Sequence, residues 1–313
     1  MTALDGVFDR IQRGISGICA AQDDDGGWTD FEIAGMGASG AWVTAAVGLR
    51  LAGLPAALRS DGVARAVERA VARIDGEPTW SYNHKTPQDA DTTAHAMLLL
   101  ATAGRVRAGA VERLLGFQTL DGGFSTFPPN ARGADHASWS VSHLDVTPVC
   151  VRALVPHRAK PDVAAAIARA VVRRDGDRVD GRWPAFWWGL DWYTAAAWAR
   201  ATAELGETWT PPPRPTGEPL RAPLDAAYLL EVAIASGWEG VAIAMADLLV
   251  EAGGAGPLWP ALPVLRVAAP NIARPWELPG DQGGRLYADA RGIYSTSVIV
   301  SALARYAERF ATA

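Results

Sequence analysis

Apolar residues recur at intervals of three and four along most of the chain, the spacing that gathers them on one face of a helix. Two kinds of segment carry this pattern. Residues 65–74, 111–118, 163–173 and 241–251 set an apolar stripe against Arg and Glu, which predicts helices with one wet face. Residues 38–51, 92–103, 146–155, 193–203 and 293–303 are almost uncharged, which predicts helices buried nearly all round. Period-two alternation is absent over any useful length, so no strands are expected.

Between these segments the chain repeats itself. Gln22-Asp-Asp-Asp-Gly-Gly-Trp28 aligns with Gln118-Thr-Leu-Asp-Gly-Gly-Phe124, and looser turns precede Trp80, Trp183, Trp259 and Tyr287. Inside the dry segments Thr44, Thr93, Thr147, Thr194 and Thr296 fall 49, 54, 47 and 102 residues apart, the last gap being two periods. Leu224-Asp225-Ala-Ala-Tyr228 is a degraded candidate for the missing copy. Six units near fifty residues, each a wet helix, a glycine-aromatic turn and a dry helix, account for the chain. Neither helix of such a pair buries its apolar face alone, and both terminal units are as apolar as the middle ones. Closure into a ring follows. The expectation is an all-α fold, an (α/α)6 barrel of six helical hairpins, in a single domain over residues 1–313.

Composition narrows the function. The 313 residues are 49% hydrophobic with a net charge of -5, and the 29 cationic residues form no basic stripe. Nucleic-acid binding is not expected. No apolar run is long enough to span a membrane and no signal peptide opens the chain, which predicts a cytoplasmic protein. Cys19 and Cys150 are too isolated for a disulfide framework or a thiolate metal site.

Gln88-Asp-Ala-Asp-Thr-Thr-Ala94 is the most informative heptad. Asp89 fits an N-cap and Asp91 complements the positive end of a helix. Yet two carboxylates entering a helix of Ala, Met and Leu lose hydration, and burial beside a like charge keeps one of them protonated near neutral pH. Such a group is a general acid. A dry proton donor among aromatic rings suits protonation of an alkene, because ring faces stabilise the resulting cation without capturing it. By the threonine register Asp145 holds in the third unit the place of Asp91 in the second.

Asp89-Ala-Asp91-Thr-Thr93-Ala resembles the acid motif of class II terpene cyclases and squalene-hopene cyclases, and the turns at Gln22 and Gln118 resemble that superfamily's glutamine-tryptophan repeats. The resemblance implies an α/α barrel with Asp91 as proton donor, held by Asp89 and Thr92. His95, His136 and His143 are candidates to re-arm the acid. Trp42, Tyr82, Trp139, Trp187, Trp192, Tyr193 and Tyr294 are expected to line the cavity, with Arg285 (or Arg274) meeting an anionic group from the Pro- and Gly-rich rim at 253–291. The implied partner is a small hydrophobic, isoprenoid substrate. No cofactor is expected; Mg2+ enters only where the substrate is a diphosphate. Typical members of this class are longer, with a second helical domain, which leaves open a homodimer or a smaller, non-phosphorylated substrate.

Two other readings stand beside this one. One is an acid-catalysed cyclase or isomerase of a non-terpenoid metabolite. The other is a non-catalytic barrel that binds a lipid or a partner, with Asp89 and Asp91 as caps.

Overall fold

The computed structural model describes residues 3–128, 134–216, 220 and 222–310, with backbone alone at 3 and 134–136. Six helices form an inner ring. In order they are α2 (Ala41–Ala52), α4 (Ala90–Thr102), α6 (Thr147–Leu154), α8 (Tyr193–Leu205), α9 (Pro223–Ser236) and α11 (Ile293–Phe310); each packs on the next, and α11 returns to α2. These are the dry segments, with α9 supplying the copy that Asp225 marks. Outside them lie α1 (Ala3–Ala20), α3 (Asp61–Asp75), α5 (Ala110–Leu115), α7 (Pro161–Gly176) and α10 (Glu239–Ala252), packed on α11, α2, α4, α6 and α9 respectively. The α/α barrel is therefore present. Among the described residues no helix is long and apolar enough to cross a membrane.

Two details of the repeat differ from expectation. Among the described residues no outer helix separates α8 from α9, so the hairpins number five; α10 covers α9, and α8 is left without a packed outer helix. Its place is taken by a strap through Pro211, Pro212 and Pro213, where missing N–H groups and fixed φ rule out a helix. Trp209 pins the strap by stacking on Trp183, with ring centroids 5.6 Å apart. Nor does the turn before Tyr287 belong to the repeat; Tyr287 lies half-buried on a strand.

That strand corrects the expectation of none. β1 (Asp30–Ile33) pairs with β2 (Gly37–Ser39), and β3 (Pro263–Val267) with β4 (Arg285–Ala288), both antiparallel. With three to five residues each, they are too short for alternation to register. Both hairpins lie at the end of the barrel where the inner helices start.

The repeated residues hold helix ends together. Trp28, Trp80, Trp183 and Trp259 donate their indole N–H to Ile18, Ile74, Arg174 and Leu249, late carbonyls of the preceding outer helices, at 2.8–3.1 Å. Helix ends carry such unpaired carbonyls by construction. From the other side Thr44, Thr147 and Thr296 accept the backbone N–H of Trp28, Phe124 and Trp259 at 2.9–3.0 Å. The amides of Gln22 and Gln118 each bridge two carbonyls, those of Gly26 and Ala66 and of Gly122 and Ala166. Gly26 and Gly122 have φ of +88° and +91°, and a Cβ on either would come within 2.8 Å of the Arg69 or Arg169 carbonyl oxygen.

Candidate active site

At the hairpin-covered end the inner helices surround an aromatic-lined cavity. Its helical wall comes from the first turns of α2, α4, α6 and α8. Ile33 and Met36 of the first hairpin and Leu265 and Val267 of the second form the roof. Arg266 N–H meets the Trp187 carbonyl at 2.6 Å and Gly189 N–H meets that of Val264 at 2.9 Å, so β3 holds the Trp187–Gly189 segment against the cavity.

Asp89 caps α4 in extended conformation. Its carboxyl accepts from the Thr92 N–H at 2.7 Å, the Thr92 hydroxyl at 2.8 Å and the Tyr82 N–H at 2.9 Å. Burial still pushes it up to about 7, against those donors and with the neighbouring Asp91 charge adding to the rise. Asp91 faces the cavity one residue into the helix. Its Oδ1 is buried without a hydrogen-bond partner and lies 3.5 Å from His95 Nδ1, which instead meets the Asp91 carbonyl at 2.9 Å. Thr93 bonds back to the Asp89 carbonyl. Asp145 also lines the cavity. Its Oδ2 accepts the Trp187 N–H at 2.7 Å, its Oδ1 has no hydrogen-bond partner, and burial pushes it up to about 7.

The rings fall into two groups. Trp42 and Trp188 lie at the cavity wall, backed by Tyr294 at 5.2 and 5.3 Å; Tyr82 stacks on Trp42 at 6.3 Å, and Tyr193 on Trp188 at 4.5 Å. Trp139 and Trp187, 5.8 Å apart, form the other wall with Phe127. Thr126 lies between them and buried His143.

Of the residues expected from sequence, Asp89, Asp91, Thr92, Asp145, Trp42, Tyr82, Trp139, Trp187 and Tyr193 all line the cavity. Three do not. Tyr294 backs the lining indoles from below, over the buried Arg50 guanidinium. Trp192 does not line the cavity; its backbone N–H donates to Asp225 at 3.0 Å and its ring lies under Arg182. Arg285 is exposed on β4 beside Tyr287, and Arg274 pairs with Glu277 in solvent. The His136 side chain lies outside the described residues. Sequence reasoning missed Trp188, Phe127 and Thr126 as wall residues. The doubled tryptophan at 187–188 was the one available signal. Among the described residues no three His, Cys, Asp or Glu side chains gather as a metal site.

Fold and site together define an α/α barrel with a carboxyl pair at the mouth of an aromatic cavity. Among solved structures the chain is similar to the type II terpene cyclase MstE from Scytonema, with a TM-score of 0.80 and 23% identity over 97% of this chain and 99% of that one. An aspartate-to-asparagine variant of MstE in complex with geranylgeranyl dihydroxybenzoate, its substrate, gives 0.76 and 22% over 98% of each chain. The ent-copalyl diphosphate synthase from Streptomyces platensis gives 0.55 and 19%, over 84% of this chain and 50% of that one. The shared property is the fold. No family model matches the sequence, and no curated protein does.

Proposed function

We propose that this protein is a protonation-initiated terpene cyclase, acting as one barrel in the cytoplasm on an isoprenoid chain that carries no diphosphate. The observation that carries the reading is Asp91, a buried carboxyl with an unpartnered oxygen at the head of α4, facing indole and phenol rings. Three donors fix Asp89 in place, and Asp91, whose Oδ1 has no hydrogen-bond partner, is the carboxyl of the pair placed to hand a proton to the substrate. Asp91 gives that proton to a terminal alkene carbon. A C–H bond forms, the π pair is consumed, and a tertiary carbocation remains for the next double bond to attack. The faces of Trp42, Trp188 and Tyr193 stabilise the cation, and the apolar roof keeps out water. His95 is placed to steady the carboxylate left on Asp91.

The wall also speaks to the substrate. Its charged side chains are the three carboxyls Asp89, Asp91 and Asp145, with no Arg or Lys among the described lining residues. A diphosphate is repelled there, and a Mg2+-diphosphate head has no cationic clamp. A polyprenyl chain on an aryl head that carries less negative charge than a diphosphate fits better. The similarity to MstE, whose substrate is a geranylgeranyl dihydroxybenzoate, supports this.

The experiment is incubation with geranyl, farnesyl and geranylgeranyl chains borne on dihydroxybenzoate or on diphosphate. A cyclic product is expected from an aryl-borne chain and not from the diphosphates. Asp91→Asn should abolish it while the circular dichroism stays unchanged; undiminished turnover in that variant sinks the assignment.

A further inference from the structure

A cyclisation that begins with a proton from Asp91 ends when a proton leaves the last cation, and the wall offers a hydroxyl with a base behind it. Thr126 lines the cavity, with Oγ1 2.6 Å from Trp187 Nε1 and 2.9 Å from His143 Nδ1. Chemistry fixes the direction of each bond. The indole N–H only donates, so it gives to Thr126. His143 Nε2 lies 2.8 Å from the Ser138 carbonyl oxygen, which only accepts, so Nε2 carries the ring proton and Nδ1 is an acceptor. The Thr126 hydroxyl therefore points its proton at His143. The imidazole stacks on Phe186 at 4.1 Å and also borders a surface cavity bounded by Asp121, Ser142 and Arg173. It thus stands between the apolar cavity and a second one lined by charged side chains.

We infer that Thr126 and His143 together take the terminating proton. The inference rests on the cyclase reading above. Thr126 Oγ1 accepts a proton from the carbon adjacent to the final cationic centre as its own hydroxyl proton passes to His143 Nδ1. The C–H bond breaks, its electron pair becomes the new C=C, and the positive charge ends on the imidazolium. From there the proton leaves toward the surface cavity. Burial, which holds His143 down to about 4, keeps the ring neutral before the step. A base that weak is sufficient, because a C–H beside a carbocation is a far stronger acid than imidazolium.

The test uses an aryl-borne polyprenyl substrate that the wild type cyclises, with the products resolved by mass spectrometry. Thr126→Val keeps the shape and removes the hydroxyl. His143→Phe keeps the stack on Phe186 and removes the acceptor, which leaves a second arm should the first variant fold poorly. Both should consume substrate while the ratio of the parent olefin to water-quenched alcohol or isomeric olefins falls about tenfold or more. Thr126→Ser should restore the parent ratio. An unchanged ratio in both variants overturns the inference and leaves the cyclase reading standing, as does a shift that Asp145→Asn alone produces. A wild type that cyclises no member of the panel overturns the reading, and this inference with it.

Discussion

The backbone N–H of Trp187 lies 2.7 Å from Oδ2 of Asp145, so a carboxyl just ahead of α6 positions an indole that belongs to the next unit of the ring. Asp145→Ala leaves that N–H without its acceptor and should cost about 1–3 kcal/mol of stability. Asp145→Asn retains an acceptor and should stay closer to wild type. Urea denaturation of the two variants checks the order; an Asn variant less stable than Ala would contradict it.

Trp188 and Trp192 make opposite predictions although both are buried. Trp188 forms wall and Trp192 does not. Trp188→Leu removes a ring face from the cation path and should lower kcat/KM by about tenfold or more. Trp192→Leu should lower the melting temperature with much less effect on rate. Steady-state kinetics beside thermal melts separate the two.

Thr44 accepts the Trp28 N–H and returns its own proton to the Trp28 carbonyl. Thr44→Val keeps the volume and orphans a buried donor, a loss of about 1–3 kcal/mol. Thr44→Ser should recover most of it. Denaturant midpoints measure both, and equal midpoints for Val and wild type would show that the threonine register does not tie turn to helix.

The buried acids set a pH dependence. Burial holds Asp89 and Asp145 up to about 7 and Asp289 up to about 6, so the folded protein keeps protons that the unfolded chain releases near pH 4. Their contribution is complete below about pH 4 and is lost as pH rises through 6 to 7. His143, held down to about 4, acts in the other sense; its contribution is lost as pH falls from about 6.5 towards 4. With three acids against one base, the melting temperature should fall from about pH 5 to 8, and Asp145→Asn should flatten the slope. Turnover should decline over the same rise, because the Asp89–Asp91 pair must hold one proton. A rate that climbs through pH 8 would contradict this.

The ring was legible because its signals are local and repeated. Helical periodicity, glycine-aromatic turns and a register threonine in five of the six inner helices each recur, and structure uses all three at the same joints. Asp89 and Asp91 were legible because a charge pair is conspicuous at the head of an uncharged helix. The roof was not. Its strands are too short to show a period, and Leu265 and Val267 reach the cavity through a pairing with residues some eighty positions earlier. Trp192 and Tyr294 were misplaced for a related reason: periodicity says that a ring is buried, and not whether it meets the cavity or packs behind it. Arg285 sits in the expected rim, but strand pairing turns it to solvent.

The proline strap makes one arc of the wall a single helix thick. In ring order α8, the helix left without an outer helix, is second from α4, and α10 covers α9 beyond it. Breathing of the barrel, and access for a protease, will concentrate at that seam. The acid sits on α4, two helices away and backed by α5, so an opening at the strap reaches the Tyr193 wall before it reaches Asp91.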